Sequence, residues 1–128
     1  MSDFPEDLKY SAEHEWVRTG SGSSVRVGVT HYAVEQLSDI IYVSLPTVGD
    51  ELSAGDSCGE LESTKSVSDI FSPVSGVVTA VNETLADAPQ NLNTDPYGDG
   101  WLFEVELASA AALEDLLDVD AYAELTED

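Results

Sequence analysis

A mainly β fold is the class this sequence predicts, on three observations. Apolar residues recur at every second position in several short runs, as Val25, Val27 and Val29 do in VRVGVT, 25–30, which is the period of a half-buried strand. Gly49, Gly55, Gly59 and Gly76 punctuate the middle of the chain at short intervals, as the tight connections of small barrels and sandwiches require. Helical spacing is confined to one short segment before residue 40 and to the C-terminal end.

Taken in order, HEWVRTG (14–20) and VRVGVT (25–30) flank the turn residues SGSS and read as a β-hairpin. Thr30 is placed to cap a short helix through HYAVEQLSD, in which Ala33 and Leu37 lie four apart on one face. So short a helix must pack on the sheet to persist. Strands then follow closely: IIYVSLP, ELSAGD, SCGELES, a break at Thr64 and Lys65, SVSDIFS, the turn PVSG, and VVTAVN. The two flanks of Lys65 look alike, each a strand, a glycine-containing turn and a second strand, which suggests a pseudo-symmetric pair of halves meeting at a tip. Residues 86–100 are rich in Asp, Asn, Pro and Gly and read as a long loop. WLFEVEL (101–107) predicts a half-buried strand with Trp101, Phe103, Val105 and Leu107 inward. Ser109 would cap a C-terminal helix through AAALEDLLD, with Leu113, Leu116 and Leu117 on its apolar side, and DAYAELTED would add a second helical piece.

The 128 residues suit one domain, residues 1–128. Twenty-six acids against four Lys and Arg give a net charge of −22, so phosphate backbones and anionic membranes would be repelled and neither nucleic acid nor membrane is expected as a partner. With 42% hydrophobic residues the chain has enough apolar surface to fold despite its charge. The N-terminus lacks the apolar core of a signal peptide and no apolar run reaches the length of a membrane span, so a cytoplasmic location is expected. The single cysteine, Cys58, excludes an internal disulfide and reads as a small core residue. His14 and His31 have no metal-ligand spacing, and structural or surface roles are expected for both.

All four bases fall within residues 1–65, and residues 66–128 hold 14 acids and no base. Lys65 is the last base and, apart from Lys9, the only lysine. Counting alone does not separate chance survival from a specific task. Its setting says more. A lysine between two β runs, flanked by Ser63, Thr64 and Ser66, belongs on an exposed tight turn. The acids Glu60, Glu62 and Asp69 favour its charged form, against a Schiff-base or general-base lysine, which needs desolvation or neighbouring cations. An exposed, charged amine suits an attachment point, where an amide removes the charge and adds a long arm. The sequence has no GxSxG, GxGxxG, phosphate loop or HExxH, and no enzyme constellation stands out.

The segments HEWVR (14–18), GVTHYAVEQLSDIIYVSLPTVGD (28–50), CGELESTKSVSDIFSPVSGVV (58–78), VN (81–82) and NTDPYGDGWLFEVEL (93–107) together resemble the H-protein family of the glycine cleavage system. The resemblance runs from about Tyr10 to Leu125. It implies a lipoyl/biotinyl-type barrel-sandwich hybrid with a short inserted helix and a C-terminal helix. It also implies a non-catalytic carrier with lipoate attached to Lys65. Such a carrier takes the aminomethyl group from a pyridoxal-phosphate-dependent glycine decarboxylase (P protein) to a tetrahydrofolate-dependent aminomethyltransferase (T protein), and a dihydrolipoamide dehydrogenase (L protein) reoxidises it. A lipoate ligase or lipoyl transferase would install the cofactor, and the carrier itself would be a monomer. By position, Glu15 and Asp69 match the family's contacts to the loaded amine, and a carboxylate suits a protonated amine. Glu13 matches a third cleft position and departs from the serine of some members. Thr64 replaces a residue that is commonly valine.

The rivals are a lipoyl domain of a 2-oxoacid dehydrogenase, which lacks HEWVR and DPYGDGW, and a lipoyl donor in protein lipoylation, whose sequence would look much the same. Biotin carriers have methionine neighbours that Lys65 lacks. The charge further suggests a salt-loaded cytoplasm such as that of a halophilic archaeon, because at ~1 M salt the Debye length is only about 3 Å and self-repulsion is screened. On that expectation the far-ultraviolet circular dichroism of the folded protein is lost in dilute buffer and restored by salt; full structure in dilute buffer would refute it.

Overall fold

The computed structural model describes residues 8–19, 23–108, 113 and 116–126. In chain order its elements are β1 (Lys9–Tyr10), β2 (Glu15–Thr19), β3 (Ser24–Val29), α1 (His31–Leu37), β4 (Ile40–Ser44), β5 (Glu51–Leu52), β6 (Ser57–Ser63), β7 (Val67–Phe71), β8 (Gly76–Val81), α2 (Thr84–Asp87), α3 (Asn91–Thr94), β9 (Phe103–Leu107) and α4 (Val119–Thr126). They form two antiparallel sheets, one ordered β1-β2-β3-β9-β8-β5 and one ordered β4-β6-β7. This is the mainly β, two-sheet architecture expected of a barrel-sandwich hybrid.

The expected hairpin is present, with Glu15 opposite Val29 and Thr19 opposite Val25. Thr30 caps α1, its hydroxyl accepting from the Ala33 amide at 3.3 Å. The likeness of the two flanks of Lys65 has a structural counterpart. Each flank sends one strand to each sheet: β6 pairs with β7, and β5 pairs with β8. The Lys65 turn is therefore the tip of a hairpin whose outer strands belong to the other sheet.

Valines and leucines from both sheets meet in one core, with Val17, Val27, Val74, Leu85, Leu92, Phe103 and Val105 fully buried. Each such side chain contributes about 1.5–3 kcal/mol relative to exposure. A second cluster of Leu8, Tyr10, Trp16 and Tyr122 lies where α4 meets β1 and β2. Tyr10 and Tyr122 stack with ring centroids 4.7 Å apart, and the Tyr122 hydroxyl shares hydrogen bonds with Thr30 Oγ1 at 2.8 Å and His14 Nδ1 at 2.7 Å.

Two details differ from the sequence reading. The last strand begins at Phe103, so Trp101 leaves the inward row: it is part-exposed beneath the Arg26 guanidinium, 4.4 Å from its ring centroid, while Leu102 is fully buried. Arg26 is held there by Glu104 directly across the ladder, at 2.7 Å. At the C-terminus the expected Ser109 cap and most of 110–118 lie outside the described residues, but Leu116 and Leu117 are described and are not helical. Leu117 instead exchanges two backbone hydrogen bonds with Tyr10, at 2.7 and 2.8 Å, because the exposed edge of β1 offers amide and carbonyl groups that need partners. Among the described residues Leu113 has 3-10 conformation, and the second expected piece is helical as α4. The expected loop at 86–100 opens on the last two residues of the single turn α2 and carries the single turn α3.

Gly28 lies opposite Trp16 in the ladder, and a Cβ there would run into the Trp16 indole. The indole cannot yield, because it is fully buried and its Nε1 donates to Pro96 O at 3.0 Å. Gly28→Ala should therefore destabilise the protein by about 1–3 kcal/mol, read as a lowered denaturation midpoint; an unchanged midpoint would mean that the indole is free to move.

Candidate functional site: the Lys65 turn and the Glu15 cleft

The link between β6 and β7 is held by one side chain. Ser63 is buried, and its Oγ accepts from the amides of Lys65 and Ser66, each at 3.0 Å, while its own amide donates to Ser66 O at 2.8 Å. Such local side-chain bonds substitute for backbone ladder bonds and fix a tight turn. The Thr64 amide donates to Asp39 O at 3.1 Å, tying the turn to the junction of α1 and β4. Lys65 is left exposed, with Nζ 3.4 Å from the Gln36 carbonyl at the end of α1. A primary amine on a rigid tip, open to solvent, fits a covalently attached arm. Cys58 does not compete as a nucleophile: burial pushes its thiol up to about 12, with Glu15 adding to the effect.

Glu15 and Glu13 line one cleft of about 240 Å³, together with Tyr10, Ser11, Phe71, Pro73 and Leu117. Strand alternation explains the position of Glu15. It shares a face of β2 with Val17, so its carboxylate points toward the second sheet and is only 2% exposed. Ser11 Oγ donates to Glu15 Oε1 at 2.6 Å and accepts from the Glu15 amide at 3.1 Å. The Phe71 amide, on edge strand β7, donates to Oε2 at 3.3 Å. Desolvation nevertheless dominates these donors and pushes the Glu15 carboxyl up to about 8. A cationic group entering the cleft would favour its ionised form.

The four expected site residues thus divide. Glu13, which is exposed, and Glu15 share the cleft. Asp69 is exposed on β7, two residues before Phe71 and on the same side of the strand, outside the cleft lining. Lys65 lies at the far end of the same hairpin. Several supporting residues were not legible as such. Ser11 had no sequence signal. Asn82 and Asn93 lay within segments of the resemblance, without roles. Asn82 Nδ2 donates to the carbonyls of Asp99 and Trp101, both at 2.8 Å. Asn93 joins the Ile40 amide and the Ser38 carbonyl, at 2.9 and 3.0 Å, bracing the junction behind the lysine turn.

Because the folded protein holds Glu15 neutral well above the unfolded value of 4.5, the folded state binds the extra proton between those limits. The stability contributed by this proton should therefore fall as pH rises toward about 8 and be lost above it. Burial also holds His14 below its ordinary 6.5, against the opposing pull of Glu13, so protonation of His14 erodes stability in the acid range. Denaturant titrations between about pH 6.5 and 8 isolate the carboxyl, below the range in which Cys58 ionises in the unfolded chain. Wild type should lose on the order of 1–2 kcal/mol across that range and Glu15→Gln much less; parallel curves would remove Glu15 as the cause.

The family model for the glycine cleavage H-protein matches residues 8–128. The glycine cleavage system H protein of Mycobacterium avium is 57% identical over 126 residues, covering 95% of this chain and 96% of that one. That of Micrococcus luteus is 55% identical over 127 residues, covering 98% and 99%. The crystal structure of a glycine cleavage system H protein from Mycobacterium marinum superposes with a TM-score of 0.86 at 45% identity, covering 94% of this chain and 97% of that one. These relatives are bacterial and lend no support to the archaeal source expected from the charge. A matching family model, identities above half and a shared fold together place this chain in the glycine cleavage H-protein family, the lipoyl carriers of the glycine cleavage system.

Proposed function

We propose that Lys65 is the lipoyl attachment residue, that the chain is a non-catalytic carrier, and that the Glu15 cleft receives the end of the arm. The observation that carries this reading is the Lys65 turn: an exposed amine on a hairpin tip whose backbone Ser63 holds by two hydrogen bonds. When bound, lipoate supplies the disulfide sulfur that accepts the aminomethyl group. The protein's own residues do the rest. Lys65 Nζ holds the arm as an amide, the β6–β7 hairpin fixes where it starts, and its length raises the local concentration of its end at each active site. Glu15 offers a buried carboxyl to an amine, Glu13 stands at the same cleft, and Asp69 lies between cleft and turn on β7. Leu117 and Pro73 help to keep the cleft from open water.

The partners that follow are the P, T and L proteins and a lipoate ligase or lipoyl transferase, with the cytoplasm as the location. Attachment would remove the Lys65 charge and take the protein from −22 to one further negative charge.

The reading predicts a lipoyl mass increment on protein from its native host, absent from Lys65→Arg and Lys65→Ala. Both variants should fold as wild type and support no glycine decarboxylation with the P protein. An unmodified wild-type chain that still supports decarboxylation would overturn it.

A further inference from the structure

Beside the lysine turn the β4–β6–β7 sheet presents an outer face unlike the rest of its surface. Strand β4 carries an irregularity: Ile40 pairs with Ser63 and Tyr42 with Glu62, so Ile41 is an extra residue. A bulge of this kind re-aims side chains. Here Ile40 stays buried while Ile41 and Tyr42 are 50% and 57% exposed. The ladder continues across the sheet, with Glu62 opposite Val67, itself 57% exposed. Directly paired residues share a face, so Tyr42, Glu62 and Val67 form one row, about 10 Å across at the usual strand spacing. The next row is Ser44, Glu60 and Asp69. The face therefore combines apolar anchors with three exposed carboxylates, and Val67 stands two residues from Lys65.

We propose that this face, with Ile41, Tyr42 and Val67 as anchors, is the docking surface for the enzyme that attaches the lipoyl group to Lys65, and that this enzyme meets it with an apolar seat inside a cationic rim. The proposal rests on the reading of Lys65 as the attachment residue. Reach selects the occupant. An enzyme that acts on the bare amine must bring its reacting centre to Nζ and so must touch the residues beside the turn. Enzymes that act on the end of the installed arm need not bring their reacting centre to the turn. Charge selects the rim, because Glu60, Glu62 and Asp69 attract cations and the net charge of −22 opposes stacking of two copies on this face. Exposed aromatic and branched side chains at the centre of such a patch are where binding energy concentrates.

The test uses the full-length, unlipoylated chain with a lipoate–protein ligase, following the mass increment with time in the presence of lipoate and ATP and measuring direct binding by calorimetry without lipoate. Tyr42→Ser and Val67→Ser should each raise KM and weaken binding by about 10-fold with kcat within about twofold, since one lost anchor is worth roughly that factor. Tyr42→Phe should restore both values. Val77→Ser, an equally simple change on an exposed valine of the other sheet, should leave them unchanged. Raising salt from about 0.05 to about 0.5 M should raise the wild-type KM. Unchanged KM and binding in the Tyr42 and Val67 variants, or a loss confined to kcat, overturns the docking surface while Lys65 lipoylation stands. No mass increment on wild type overturns the reading of Lys65 and the proposal with it. A wild-type dimer in sedimentation that Tyr42→Ser dissociates, with KM unchanged, assigns the face to a second copy and overturns the proposal.

Discussion

The first three residues of strand β2, Glu15, Trp16 and Val17, are buried on both faces of the strand, and much of the molecule is arranged around that constraint. One face carries Trp16, which must be covered by Tyr10, Tyr122 and the loop that supplies Pro96 O. The other carries Glu15 and Val17, which look toward the second sheet. A strand in this position cannot leave polar groups unsatisfied, since each would cost on the order of 1–3 kcal/mol. Glu15 accordingly takes the Ser11 hydroxyl and the Phe71 amide, and His14 takes Tyr122 in an αL backbone conformation, φ 74°. The same bonds join the two sheets and fasten α4.

From this arrangement the two halves of the candidate site acquire opposite physical character. The Lys65 turn is a solvent-facing tip, held by the buried Ser63 and with Lys65 itself exposed. The Glu15 cleft is a desolvated pocket in which a carboxyl prefers to be neutral until a cation arrives. A carrier needs both: an attachment point that does not hinder the reach of its arm, and a recess that holds a polar end away from water. Strand β7 connects them, running from the turn past Asp69 to the Phe71 amide that bonds Glu15.

The acidic surface fits a protein that works by visiting other proteins. Its carboxylates repel further copies and attract cationic rims, while Arg26, clamped between Glu104 and Trp101, and Arg18, over the Trp16 ring at 5.1 Å, are committed to packing within the fold. Among the described residues, Lys65 is thus a cation whose position serves no such packing role.

The sequence by itself determined the β class, the hairpin around residue 21, the Thr30 cap, the lysine on a tight turn and, by resemblance, the family. All of these depend on local alternation, turn chemistry or short motifs. Only the tertiary structure decided the rest. Trp101 left the inward row because Arg26 and Glu104 clamp across the ladder, and Leu117 became extended because β1 needed a partner. Glu15 became a buried, proton-holding carboxyl because packing desolvates it, against the opposing donation of an amide 56 residues away. Ile41 and Tyr42 faced solvent because of a bulge invisible in an apolar run. Each is a contact between residues distant in the chain, and no local period or spacing encodes which partner a side chain meets.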